Sequence, residues 1–190
     1  MKILGKRILI EPARAEKTAG GIFLPDAQSE FHANSEGVVV AIGSGITETL
    51  PYTKGSRVFL EMYKAGPMCA MQVKGKEMFF VEQSAICGVM IGNAFHPVGD
   101  RILLKPLLTV ARDSRIIRAS AYEHDADALI HCTVHLCGEG IRNKKGEIRP
   151  FQVKVGDEVL VMPLIGRDVD AAECTYKLVK SSDIHAIITN

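Results

Sequence analysis

The sequence has no tryptophan, and only 6% of its 190 residues are aromatic, so a hydrophobic core must be mainly aliphatic. It also lacks an excess of charge of either sign, since 23 Lys and Arg residues face 22 Asp and Glu residues. Residues 1–95 contain 10 basic and 9 acidic side chains, and residues 96–190 contain 13 of each. This balance argues against a nucleic-acid partner and against an anionic membrane surface.

Long hydrophobic runs are absent as well, because no stretch approaches the roughly twenty apolar residues of a membrane-spanning helix. The first residues lack the apolar core and small-residue cleavage site of a secretory signal. Cysteine is sparse, and the odd count of five at wide spacing favours reduced thiols in an intracellular compartment. With 47% hydrophobic and 24% charged residues, the composition predicts a globular protein of one ordinary or two small domains.

Four segments of the first half recur in the second half in the same order. The matched pairs are 6–12 with 100–106, 37–46 with 132–141, 54–60 with 155–161, and 82–90 with 180–188. An ordered set of repeats is the sequence signature of a duplicated structural unit. We interpret the chain as two homologous domains, residues 1–92 and 96–190, with a turn-rich boundary between them.

Each repeat contains short segments rich in Val, Ile, Phe and Met that are bounded by Gly, Pro, Ser or Asp, which is typical of β-strands. The predicted strands are 7–11, 37–42, 56–61, 71–73, 78–81 and 86–90, then 101–105, 130–136, 158–162, 175–179 and 184–188. We therefore predict an all-β fold in which each repeat is a small barrel, because closure removes exposed strand edges.

One segment, residues 15–35, does not fit a barrel strand. Polar flanks surround the run Ala19-Gly20-Gly21-Ile22-Phe23-Leu24-Pro25. The two glycines give the chain conformational freedom, and a long loop inside a compact domain is commonly functional or disordered. Two interpretations stay open from the segment alone: a further strand on the barrel, or an apolar peptide that docks in another protein's groove.

The ordered segments resemble the co-chaperonins, the GroES-like lids of the chaperonin 10 family, present here as a tandem pair. The similarity rests on an Arg-Ile-Leu-Ile strand, the Gly-Gly-Ile-Phe-Leu-Pro loop, a Gly-Val-Val-Val-Ala-Ile-Gly segment and a closing Gln-Ser-Ala-Ile segment. It covers nearly the whole chain. It implies two GroES-like barrels, each with a long mobile loop and a roof hairpin, and neither catalytic residues nor a cofactor.

The resemblance also implies a partner. In this family the loop orders on the apical domain of a chaperonin 60 ring and seals a folding chamber during the partner's ATP cycle, so client proteins are assisted indirectly. Ile22, Phe23 and Leu24 would be the anchors, and Gly20 and Gly21 would shape the turn. A homo-oligomer or a mixed ring is expected, although two-domain chains cannot tile the family's seven-fold ring without a domain left over.

The second repeat departs from the family pattern at its own loop. Ser114 and Arg115 stand where the first repeat has two glycines, and Arg118 stands where it has leucine. Ile116 and Ile117 keep the apolar character. Because an arginine in an apolar pocket costs desolvation, we expect Ile116, Ile117 and Arg118 to form a weaker partner-binding segment.

The roof hairpins differ too. Glu61 and Tyr63 of the first repeat resemble the family's acidic and aromatic roof residues, whereas residues 162–168 of the second repeat contain no aromatic side chain. A role for Tyr63 inside the chamber is one interpretation, and an ordinary hairpin residue is the other.

Three other functional interpretations compete. An enzyme of the dehydrogenase type would need a Gly-x-Gly-x-x-Gly fingerprint and a βαβ unit, and the sequence has neither. His131, His135 and Cys137 would share one face of a regular strand and are the only ligand-like cluster, but structural strand residues are favoured and no metal is predicted. The third is a duplicated GroES-like barrel with a structural, scaffold or regulatory role that no longer caps a chaperonin. The expected location is the cytoplasm of a bacterium or infected host cell, with an organelle after presequence removal as the alternative.

Overall fold

The computed structural model describes residues 2–13, 35–47, 49–61, 70–73, 75–107, 129–143, 147–171 and 174–188. Over these ranges the chain forms fifteen strands and two single-turn 3₁₀ helices, which confirms the predicted all-β class. In this part of the chain no helix is long and apolar enough to cross a membrane. The chain divides into two compact units, Met1–Phe95 and His96–Asn190.

The first unit is built on one sheet whose strand order is β4-β5-β1-β2-β3-β6-β7. Its strands are β1 (Arg7–Pro12), β2 (Glu36–Ile42), β3 (Arg57–Leu60), β4 (Ala70–Val73), β5 (Lys76–Glu82), β6 (Ile86–Ile91) and β7, which begins at Ala94 and ends at Pro97. A 3₁₀ turn, Gln83–Ala85, connects β5 to β6. The described neighbours pair antiparallel.

The second unit repeats this plan in a six-stranded sheet of order β13-β14-β8-β9-β12-β15, with a separate two-stranded β10–β11 hairpin. Its strands are β8 (Arg101–Pro106), β9 (Ile130–Cys137), β10 (Ile141–Arg142), β11 (Ile148–Arg149), β12 (Glu158–Val161), β13 (Arg167–Ala171), β14 (Cys174–Lys180) and β15 (Ile184–Ile188). The 3₁₀ turn Ser181–Asp183 precedes β15, as Gln83–Ala85 precedes β6.

The duplication is visible in the strand registers and their irregularities. The β1–β2 register skips Val40, and the β8–β9 register skips His135. In the same way β3–β6 skips Cys87, and β12–β15 skips His185. These pairs are separated by 95 and 98 residues, the spacings of the sequence repeats. Each unit therefore has the same two β-bulges, which bend and twist its sheet at equivalent points.

Every predicted strand matches an observed one, with small changes at the ends. Four strands were not predicted, namely β7, β10, β11 and β13; β10 and β11 are only two residues long and leave no periodic signal. Neither sheet order brings its first and last strands together, so hydrogen-bonded barrel closure is not found among the described strands.

The cores are aliphatic, as the composition predicted. In the second unit one cluster collects the inward side chains of four strands and a loop: Ile102, Leu104, Ile130, Cys132, Val134, Val153, Val159, Val161 and Val179. In the first unit Ile8, Ile10, Val58 and Leu60 are fully buried at matching positions. Because side chains alternate along a strand, these residues share one face of each sheet. Their burial stabilises the fold by roughly 25 cal/mol per Å² of apolar surface.

Candidate functional site

The long connection between the first two strands of each unit starts and ends at equivalent positions. In the first unit the Ala13 N–H donates to the Glu36 carbonyl at 3.0 Å. In the second unit the Leu107 N–H donates to the His131 carbonyl at 2.9 Å. One backbone hydrogen bond therefore closes the base of each connection, at the point where the paired strands separate.

The predicted contact residues lie on these connections. Gly20, Gly21, Ile22, Phe23 and Leu24 fall between β1 and β2, and Ile116, Ile117 and Arg118 fall between β8 and β9. Both groups lie outside the described residues. What the structure establishes is where the two ends of each connection are fixed.

The base of the first connection is polar. Arg57 Nη2 lies 2.5 Å from Glu36 Oε2, and Lys76 Nζ lies 2.6 Å from Glu11 Oε1. Such surface pairs contribute little to stability, typically about 0–1 kcal/mol.

At the base of the second connection Leu107 and Leu129 are 39% and 40% exposed, and exposed Lys105 and His131 stand where the first unit has Glu11 and Glu36. The two units therefore offer different surfaces around the segments predicted to bind a partner.

The roof region is described only in part for the first unit. Glu61 follows β3, is half-buried, and donates its N–H to the Ala85 carbonyl at 2.8 Å. Tyr63 lies outside the described residues. Of the predicted roof pair, Glu61 and Tyr63, the structure therefore describes Glu61, whose backbone is hydrogen-bonded to the turn before β6.

In the second unit the roof turn is held by a buried lysine that sequence analysis did not single out. Lys177 is 3% exposed; its Nζ donates to the Ile165 carbonyl at 3.1 Å and lies 3.3 Å from Asp168 Oδ1. The matching position in the first unit is Phe79, since Lys177 pairs with Leu104 as Phe79 pairs with Ile10. The sequence signal that could have identified this residue is a lysine placed among the apolar residues of β14. Leu164, in the same turn, is 85% exposed.

The ligand-like cluster of β9 does not share one face, and that prediction was wrong. The bulge at His135 shifts the alternation, so Cys137 packs against the core cluster while His131 and His135 are exposed. The His135 ring stacks on Tyr176 at 4.7 Å between centroids. Within the described ranges no group of three His, Cys, Asp or Glu side chains could hold a metal ion.

Two thiols of the second unit, buried Cys132 and half-buried Cys137, are held toward their protonated form. Burial raises the pKa of Cys132 from its ordinary value of 9.0 to about 11, with nearby Lys177 opposing the shift. Burial, followed by the negative charge of Asp157, also raises the pKa of Cys137. Because the thiolate is the reactive form, these shifts disfavour reactivity, and both side chains contribute to the core cluster, Cys132 within it and Cys137 against it.

Comparison with known proteins gives the family. The family described as "Chaperonin 10 Kd subunit" (Cpn10) matches residues 1–90 and again residues 94–188. The chain therefore belongs to the Cpn10 family and contains two tandem Cpn10 domains.

Individual relatives fall into two groups. The "20 kDa chaperonin, chloroplastic" of Spinacia oleracea is 29% identical over all of this chain and 75% of its own length. The protein of the same name from Arabidopsis thaliana is 27% identical over all of this chain and 76% of its own length. The "Co-chaperonin GroES" of Rickettsia akari is 35% identical over 50% of this chain and 98% of its own length. The tandem arrangement is thus shared with the two chloroplastic proteins.

Membership defines the class of activity. The chain is a co-chaperonin and not an enzyme, and proteins of its family cap chaperonin 60 rings. This agrees with the interpretation of the sequence as a tandem lid.

Proposed function

We propose that this chain caps a chaperonin 60 ring in an ATP-dependent manner and assists folding of proteins enclosed beneath it. The observation that carries the proposal is the repeated loop base, Ala13 to Glu36 and Leu107 to His131, within two Cpn10 domains. Each unit presents one long connection from a sheet whose register is pinned by bulges. Assembly as a homo-oligomer or a mixed ring would present several such connections together.

The first connection is proposed as the main contact, through Ile22, Phe23 and Leu24, with Gly20 and Gly21 shaping the turn. Burying three such side chains yields roughly 1.5–3 kcal/mol each. Ordering the backbone costs roughly 1–2 kcal/mol per residue fixed. One connection therefore binds weakly, and a ring of linked connections binds well because later contacts are effectively intramolecular.

Binding of the full chain to an immobilised chaperonin 60 ring, with and without ATP, tests the proposal. A Phe23→Asp variant is expected to lose at least about tenfold in affinity, because a charge enters an apolar groove. Phe31→Asp is the matched control, since it makes the same change in the same connection but outside the Gly-Gly-Ile-Phe-Leu run. Equal binding by wild type and Phe23→Asp would contradict the assignment of this contact.

The second connection is proposed as a weaker contact through Ile116, Ile117 and Arg118. Ile117→Asp is therefore expected to reduce binding less than Phe23→Asp does. Failure of the wild-type chain to bind any ring in the presence of ATP would favour the alternative function, a duplicated barrel that serves as a scaffold or regulatory protein.

An organelle fits this chain better than the cytoplasm, because the two relatives that share its tandem arrangement are named as chloroplastic. Immunoblotting of fractionated source cells tests this location. Signal restricted to the cytosolic fraction would contradict it.

A further inference from the structure

Exposed leucines lie at both ends of the second connection. Leu107 is the last described residue before it, and Leu129 is the first described residue after it. Their side chains are 39% and 40% exposed. The hydrogen bond from the Leu107 N–H to the His131 carbonyl, at 2.9 Å, fixes the first leucine against the start of β9. Two large apolar side chains therefore meet solvent where the connection leaves the sheet.

Strand alternation turns these side chains away from the core. Leu104 of β8 and Ile130 of β9 belong to the core cluster of the second unit. Their neighbours in the chain point to the opposite face of the sheet, and Lys105 and His131 are exposed accordingly. The two leucines continue this outward face just beyond the strand ends.

The matching positions of the first unit are not leucine. Ala13 makes the equivalent hydrogen bond, to the Glu36 carbonyl, so it occupies the position of Leu107. Asn34 lies two residues before Glu36, as Leu129 lies two residues before its own hydrogen-bonded residue. The second unit thus has a leucine pair where the first has a small residue and a polar one.

The charge beside the leucines is also reversed between the units. Lys105 and His131 stand where the first unit has Glu11 and Glu36, and both of those carboxylates have ion-pair partners. A leucine pair bordered by an exposed lysine suits an apolar surface with an acidic group beside it, because a basic neighbour would be repelled.

We infer that Leu107 and Leu129 are additional contact residues for the chaperonin 60 ring, at the base of the second connection, an inference that rests on the proposed function. Continuity identifies the occupant, because the leucines adjoin both ends of the segment proposed to bind the ring. The same unit has Ser114, Arg115 and Arg118 in place of the glycines and the leucine of the first connection. Apolar burial at the base offsets the weaker contact within that connection.

Binding of the full chain to an immobilised chaperonin 60 ring in the presence of ATP tests this inference through a double variant. Leu107→Ala with Leu129→Asn installs the residues of the first unit and should weaken binding at least about fivefold. Ile148→Asn with Val155→Ala is the matched control, since it makes similar changes at side chains of the same unit that are 48% and 63% exposed. The control variant should bind as the wild type does.

Two further measurements test the chemistry of the contact. Lys105→Glu should weaken binding, and its effect should shrink at high salt because exposed charges are screened. Hydroxyl-radical footprinting read by mass spectrometry should show that Leu107 and Leu129 lose reactivity when the ring and ATP are added, while Val155 keeps it.

The outcomes separate this inference from the proposed function. A wild-type chain that binds the ring, with an unchanged affinity in the leucine double variant or unchanged reactivity of both leucines, would overturn the inference alone. Binding unaffected by Lys105→Glu would overturn the acidic character of the partner surface. A wild-type chain that binds no ring would overturn the proposed function and this inference together.

Discussion

Substitution of Gly88 by alanine gives the sharpest test of how the first unit is held together. The added Cβ overlaps the Phe95 ring, which is 2% exposed and has no open space at its present position. Expelling the ring forfeits roughly 1.5–3 kcal/mol of burial, and losing its edge-to-face contact with Phe59 adds about 0.5–1.5 kcal/mol. We therefore expect Gly88→Ala to lower the free energy of unfolding of the first unit by about 2–4.5 kcal/mol.

Because two units unfold, a single denaturation midpoint is not sufficient, and hydrogen exchange read by mass spectrometry resolves each unit. Peptides from β3 and β6 should lose protection in Gly88→Ala, while those from β12 and β15 keep it. Ala186 occupies the position of Gly88 in the second unit, so Ala186→Gly is the matched control, with an expected cost of roughly 0.5–1 kcal/mol. Combining Gly88→Ala with Phe95→Leu should cost less than the sum of the single changes, since the smaller side chain makes room. A Gly88→Ala effect below about 0.5 kcal/mol, the range of ordinary surface changes, would refute the reasoning.

Further predictions concern the second unit and the strand junctions. Lys177→Ala should lower the free energy of unfolding more than Lys177→Met does, because methionine keeps a buried aliphatic stem. Asp168→Asn should cost less than about 1 kcal/mol, since Asp168 is half-exposed. Chemical denaturation of the three variants checks this order of stabilities. Folding raises the pKa of the Cys132 thiol from 9.0 to about 11, so the folded state favours the neutral thiol. The resulting stabilisation is fully present below pH 9 and is lost as pH rises through about 11. The melting temperature should accordingly fall more steeply over that interval in wild type than in Cys132→Val. Gly43→Ala should cost about 1–3 kcal/mol or more in thermal unfolding, because its Cβ would lie 2.6 Å from the Arg7 carbonyl oxygen, which is backbone and moves only with β1.

The two repeats illustrate how one plan was filled with different side chains. The first unit seals its last strand with an aromatic pair and Gly88, whereas the second uses Leu160 and Ala186 and leaves β15 exposed. Beneath the roof, Phe79 of the first unit gives way to Lys177, which bonds the turn it supports. Together with the different side chains at the bases of the two connections, these differences indicate that the two domains of this co-chaperonin are not interchangeable.

Some properties of this protein follow from the sequence alone. The ordered repeats identified the duplication, and the short apolar segments between turn residues located most strands, because alternation along a strand is a local signal. The Gly-Gly-Ile-Phe-Leu run marked the candidate contact by its contrast with polar flanks. Family membership, confirmed by the match to both halves, agrees with this interpretation.

Other properties were decided only by tertiary structure. The bulge at His135 turns Cys137 toward the core and separates it from the histidines, and a single extra residue in one strand is defined only by the strand it pairs with. Phe95 lies in a turn-rich stretch by sequence, and its importance arises from the absence of a side chain at Gly88. Lys177 finds its partners across the strand pair, because Asp168 is its cross-strand neighbour on β13 and Ile165 lies in the turn before β13. Each of these depends on which strands lie side by side, and local residue patterns carry no information about that choice.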